Sequence, residues 1–229
     1  MGIYDRDYER QRSNDESSGF HLGGARNWTT NLVIVMGIVY VVQLLTNSNA
    51  PGGGWFTQIF ELHADLPREP WKAFQLITYG FLHDPGDLKH ILFNAFALWM
   101  FGRSVEQRYG KKEYLTFFLV TVVVSGVAWL VSEWVNSGQL AQFSLLGASG
   151  GIAGVLLLFC LNFPRQQIFI WGVFPMPAWV FAILFLGMNV FGTVGGDSNV
   201  AYTAHIGGAL FAFIYYKAGW QLSNWLPSR

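Results

Sequence analysis

Four polar side chains stand in stretches that are otherwise apolar: His90, Asn94, Ser149 and His205. Polar groups at membrane depth are costly and tend to mark functional positions. A serine hydroxyl becomes a nucleophile only when a base takes its proton, and an imidazole titrating near ~6.5 suits that task. Ser149 lies in Gly147-Ala148-Ser149-Gly150-Gly151, directly before an apolar helix. His205 lies in Ala204-His205-Ile206-Gly207-Gly208, near the start of the last apolar run. Main-chain N–H groups left free at a helix start favour developing negative charge. The glycines let a substrate backbone approach closely. His90 and Asn94, four residues apart on one helix face, add side-chain donors for an oxyanion. Together these residues point to hydrolysis with Ser149 as nucleophile and His205 as base. No Asp or Glu falls in the inner part of an apolar run, Glu133 lying near the outer end of the third. An acidic third member is therefore missing, and the pair reads as a dyad. Each residue also has a plainer role. Glycine and serine pack membrane helices, His205 can be a hydrogen-bonded helix contact, and His90 and Asn94 can bond one another or a loop carbonyl. Depth, sidedness and residue type converge only for the four together.

The elements that must position them are six apolar runs: Leu32–Leu45, Ile91–Phe101, Tyr114–Val135, Ile152–Phe163, Ile168–Val190 and Val200–Tyr216. Several fall short of the ~20 residues of a full span, and flanking small and polar residues extend them. The expected fold is an all-α membrane protein, a six-transmembrane helical bundle with both termini cytoplasmic. A flexible polar tail covers residues 1–27, the membrane domain 28–217 and a short tail 218–229. Orientation follows from the basic residues: of 14 Lys and Arg, only Arg68, Lys72 and Lys89 fall in outer segments. Counting back from Pro164-Arg165 at ~1.5 Å per residue puts Ser149 some ~6 Å below the outer face of a ~30 Å core. The same count from Lys217 puts His205 ~12 Å below it. The two levels agree within a turn or two. The long outer loop, residues 46–87, is rich in Gly, Pro and Trp, and its stretch Trp71–Leu82 reads as an interfacial or half-embedded segment.

Composition agrees. Only 12% of the 229 residues are charged, about half the average of a soluble domain. Fourteen Lys+Arg against 14 Asp+Glu leave no basic excess for nucleic acid. The single cysteine, Cys160, excludes an intrachain disulfide and a Cys-rich metal cluster. No internal repeat supports an inverted-repeat transporter. Gly-x-Ser-x-Gly is also the nucleophile elbow of α/β hydrolases, but that elbow needs a strand before the serine. Here a polar loop precedes it in a chain of apolar helices. No signal or transit peptide is evident, so a bacterial inner membrane is the expected location.

These residues resemble the rhomboid family of intramembrane serine proteases, over about Trp28 to Lys217. The matching pieces are His90-Ile-Leu-Phe-Asn94, Gly147-Ala-Ser149-Gly150 with Gly154, and Ala204-His205-Ile-Gly-Gly208. The resemblance implies Ser149 as nucleophile, His205 as general base, and His90, Asn94 and the Ser149 amide as oxyanion donors. It implies helix packing at Gly150, Gly154 and Gly208. It also implies cleavage of transmembrane protein substrates near their outer ends, without metal or cofactor. The aromatic-rich fifth run, with Trp171, Phe174, Trp179, Phe181 and Phe185, would be the lateral gate, and Trp179, Phe181 and Phe185 are its candidate residues. Lys72 follows Trp71 where members often carry arginine, and lysine lacks the guanidinium fork. Ala153 stands where some members place a tyrosine against the catalytic histidine, which leaves Tyr202 as the candidate for that packing. Ala212 replaces a frequent glycine. Two alternatives stand beside this reading. A catalytically silent relative that binds or moves membrane proteins typically lacks the Ser or His, and both are present here. A metal-dependent hydrolase would gather His63, His83, His90, Asp84 and Asp87, but no helical His-Glu-x-x-His pair supports it.

Overall fold

The computed structural model describes residues 27–47, 54–137, 143–170, 172–195 and 202–225. The expected N-terminal tail, apart from Asn27, and Trp171 lie outside them. The described chain is mostly helical. Helix α1 (Trp28–Thr46) is followed by the short α2 (Trp55–Phe60), strand β1 (Leu62–His63), three 3-10 turns and α3 (Gln75–Thr78). Then come α4 (Leu88–Tyr109), α5 (Lys111–Ser137), β2 (Ser144–Leu145) and α6 (Ser149–Asn162). The chain closes with β3 (Gln167–Ile170), β4 (Phe174–Pro177), α7 (Ala178–Gly195) and α8 (Tyr202–Ala218).

Helix α6 is the axis of the bundle. Its sequence is apolar all round, which is the pattern of a buried helix, and every residue from Gly150 to Cys160 is buried. Helices α4, α5, α7 and α8 pack around it. The nearest seam is with α8, where small residues let two backbones approach. A Cβ added at Gly208 would fall on the Gly150 carbonyl, and one added at Gly154 would lie 2.9 Å from the Gly208 carbonyl. Ala212 is fully buried, so the alanine keeps the contact small at that level. Outward, the helices present large exposed apolar side chains such as Leu92, Phe93, Phe96, Ile183 and Leu210. That surface suits lipid and not water. Two helical segments, Trp28–Thr46 and Lys111–Val135, are long and apolar enough to cross a membrane, with mean hydropathy 1.8 and 2.2.

The fifth apolar run is not one helix. Ile168–Val190 divides into the antiparallel hairpin β3–β4, paired from Gln167↔Pro177 to Ile170↔Phe174, and then α7. The reason is local. Ile168, Phe169 and Ile170 favour extended backbone. Gly172 takes φ +72° in the turn, and Pro175 and Pro177 lack the N–H that a helix interior needs. Trp71–Leu82 forms no long helix. It folds as 3-10 turns around α3, with Trp71 exposed and Lys72 paired to Glu69 on its own turn.

Two buried carboxylates flank the turn between α4 and α5, where Gly110 takes φ +85°. Glu106 accepts from the Trp28 N–H at 2.7 Å, the Thr29 N–H at 2.9 Å and the Thr29 hydroxyl at 2.8 Å. An anion thus satisfies free N–H groups at the start of α1. Glu113 does the same at the far end of the chain, accepting from the Tyr215 hydroxyl at 2.7 Å and the Leu222 and Ser223 N–H groups at 2.8 and 2.7 Å. One turn therefore ties down the beginning of the first helix and the segment after the last. Glu106→Ala is expected to lower stability by about 2–4 kcal/mol, because it strands buried donors. The thermal unfolding midpoint of the protein in detergent micelles measures this, and an unchanged midpoint would contradict the anchoring role.

Candidate active site

Ser149 is the first residue of α6. The turn before it is fixed from both sides. The Gly147 N–H donates to the Tyr79 carbonyl at 3.0 Å, and the Tyr79 hydroxyl donates to the Val122 carbonyl of α5 at 2.7 Å. Strand β2, just upstream, pairs with β1, with Leu62 opposite Leu145 and His63 opposite Ser144. The outer loop and the approach to Ser149 are thus one hydrogen-bonded unit. Gly147 has φ +125°, which L side chains rarely adopt. A Cβ there would stand 2.8 Å from His90 Nε2.

The glycine seam then sets the partner. With α6 and α8 this close, His205 Nε2 lies 2.8 Å from Ser149 Oγ. The two levels counted back from the far ends of the helices meet within hydrogen-bond reach. The other ring nitrogen, Nδ1, lies 2.7 Å from Asn189 Oδ1. Asn189, on α7, was not among the residues expected from the sequence. The signal was present: it is a polar side chain inside the apolar run Phe185–Val190. A search for an acidic third member passes over a neutral amide. Phe185 packs its ring on the imidazole, with centroids 6.3 Å apart and planes at 32°. The expected Tyr202 sits elsewhere, with its ring against Gly192. Gly192 leaves room for that ring on the facing helix.

His90 and Asn94 both project from α4 toward this centre. His90 Nε2 and Ser149 Oγ flank the same point beside Gly147, at 2.8 and 3.8 Å. Behind His90 lies His83, fully buried, with ring centroids 5.1 Å apart in an edge-to-face pair. Burial, and then the neighbouring His90, push the His83 pKa down to about 3, so it stays neutral in the outer loop. Its main chain is clamped by Gln43 of α1, which accepts from the His83 N–H and donates to the His83 carbonyl, both at 2.9 Å.

Asn94, Ser149 and His205 line an otherwise apolar cavity of about 360 Å³, walled by residues of α4, α6, α7 and β3. Of the gate candidates, Phe181 and Phe185 line it; Trp179 does not and stands half-exposed. Phe174 belongs to the hairpin. Among the described residues no three His, Cys, Asp or Glu side chains gather as a metal site. His63, Asp84 and Asp87 therefore do not form one with His83 and His90. His63 instead pairs with Glu61 at 3.6 Å.

Comparison with known proteins places this arrangement. The chain is 26% identical to the RHOMBOID-like protein 12, mitochondrial, of Arabidopsis thaliana, over 86% of this chain and 62% of that protein. It is 31% identical to Rhomboid protein 1, mitochondrial, of Saccharomyces cerevisiae, over 67% of this chain and 43% of that protein. It is 30% identical to the human Presenilin-associated rhomboid-like protein, mitochondrial, over 59% of this chain and 35% of that protein. It thus spans less than two thirds of the length of each of these relatives. Their names are mitochondrial, which does not fit the bacterial inner membrane expected from the sequence. The Rhomboid domain matches residues 70–221. That interval runs from the outer-loop turns through the last helix and contains every residue of the site: the chain belongs to the rhomboid family of membrane proteins.

Proposed function

We propose that the protein is an intramembrane serine endopeptidase that cleaves transmembrane protein substrates by a Ser149–His205 mechanism. The observation that carries this reading is the 2.8 Å approach of His205 Nε2 to Ser149 Oγ at the wall of an apolar cavity. Nucleophile and base lie within hydrogen-bond reach, as covalent catalysis requires. Ser149 Oγ attacks the scissile carbonyl carbon as its proton passes to His205 Nε2. The oxyanion so formed takes hydrogen bonds from His90, Asn94 and the Ser149 N–H. Its collapse breaks the C–N bond, and the imidazolium gives its proton to the leaving amine. Water, deprotonated by the same imidazole, then attacks the acyl-enzyme ester, and the proton returns to Ser149 as the acid product leaves.

In this reading residues 28–217 form six spans with both polar tails cytoplasmic, in accord with the basic residues. Ser149 then lies near the outer face, and the substrate helix enters beside Phe181 and Phe185. An apolar cavity suits the side chains of a membrane segment. His205 sits where a silent binding module would need no base. The mitochondrial names of the relatives favour an organellar membrane.

Co-expression with a single-span model substrate tests the mechanism. Wild type is expected to cut, while Ser149→Ala and His205→Ala lose at least about 10³-fold. A fluorophosphonate probe is expected to label wild type and not Ser149→Ala. Equal cutting by both variants sinks the mechanism, and no cutting by a folded, probe-silent wild type supports the binding module. Gly147→Ala is expected to keep the fold and lose activity by about 10²-fold, since its methyl group must displace His90 from the oxyanion position. Immunoblot of substrate and product measures this, and wild-type cutting would remove the proposed role of His90.

A further inference from the structure

A serine–histidine pair works only if the imidazole presents a bare nitrogen to the hydroxyl. An imidazole has two neutral tautomers, and nothing in Ser149 alone selects between them. The selection is made on the other side of the ring. Asn189 Oδ1 lies 2.7 Å from His205 Nδ1. The amide is not free to turn, because its Nδ2 donates to the Phe185 main-chain carbonyl at 2.7 Å. A carbonyl oxygen only accepts, so the NH2 end of the amide must face it and Oδ1 must face the ring. Oδ1 carries no proton, so Nδ1 must bring one. Nε2 is then left bare, 2.8 Å from Ser149 Oγ.

We propose that Asn189 is the positioning residue of this site: its amide, oriented by the Phe185 carbonyl, holds His205 in the Nδ1–H tautomer that makes Nε2 the base toward Ser149. The inference rests on the serine–histidine reading above. Two further features bear on it. Asn189 is only 5% exposed, so water does not compete for its oxygen. The Phe185 ring lies against the imidazole at a 6.3 Å centroid distance, so one helical turn of α7 supplies both the oriented acceptor and a wall for the ring. When His205 takes the serine proton, the Nδ1–H bond to Asn189 persists. A neutral amide orients the imidazolium without placing an uncompensated carboxylate in apolar surroundings during the rest of the cycle. Asparagine serves a catalytic histidine in this way in Cys-His-Asn proteases.

The test uses the full chain in proteoliposomes with a single-span substrate. Asn189→Leu removes the acceptor at nearly constant volume, and Asn189→Asp keeps it. Asn189→Leu is expected to lower kcat about 10- to 100-fold, with KM changed less than about twofold. Its rate of fluorophosphonate labelling should fall in parallel, and Asn189→Asp, which keeps an acceptor oxygen but lacks the Nδ2 donor to the Phe185 carbonyl, should recover part of both. Nitrogen NMR of histidine-labelled wild type is expected to find the His205 proton on Nδ1, and Asn189→Leu to lose that preference. Unchanged kcat and labelling in Asn189→Leu, with Ser149→Ala inactive, overturns the role of Asn189 and leaves the serine–histidine reading standing. Cutting by Ser149→Ala at the wild-type rate overturns that reading itself. Should Asn189→Leu not fold, the wild-type spectrum decides, since a proton on Nε2 overturns the proposal without any variant.

Discussion

The structure depends on how closely α6 and α8 approach. A hydrogen bond between side chains on two helices tolerates an error of a few tenths of an ångström, and side-chain flexibility cannot supply that precision across a loose interface. Gly154 and Gly208 remove the Cβ atoms that would hold the backbones apart, and Gly150 leaves room for the Ser125 side chain of α5. Between membrane helices, where lipid is as apolar as leucine, such close packing is itself a main source of association. The contact that holds the bundle's centre together is therefore the same contact that sets Ser149 against His205.

The remaining elements keep that seam in register. Helix α6 cannot shift, because every residue from Gly150 to Cys160 is enclosed by its neighbours. Its N-terminus is held through Gly147, Tyr79 and Val122, so the outer loop is a brace and not a slack connection. At the other face, Glu106 and Glu113 lock the start of α1 and the segment after α8 to a single turn. Each carboxylate is buried but fully bonded to N–H and O–H donors, the condition under which a buried charge stabilises a fold. Between α4, α6 and α7 lies the apolar cavity that Asn94, Ser149 and His205 line.

Much of this was legible along the chain. His90, Asn94, Ser149 and His205 stood out because polar groups are rare where apolar residues crowd, and counting from the helix ends brought Ser149 and His205 to similar levels. The fifth run misled. Its apolar residues do not distinguish a buried strand from a helix over so short a stretch, and Pro175 and Pro177 belong to the second strand of a hairpin. Asn189 is a neutral amide in an apolar run, so neither charge nor a motif marks it in the sequence. The aromatic against His205 turned out to be Phe185 in place of Tyr202, because the rotation of α7 and α8 about their axes decides which ring arrives.

The sequence by itself determined which residues carry chemistry, which segments are apolar and where small residues allow close approach, since those follow from residue type and spacing. Only the tertiary structure decided the partners: that Ser149 and His205 meet at 2.8 Å, that Asn189 takes the far side of the imidazole, and that Tyr79 and Gln43 brace the loop. The physical reason is that hydrogen-bond partners far apart in sequence depend on helix rotation and separation. Those are set by the packing of all the helices together and are written in no single run of residues.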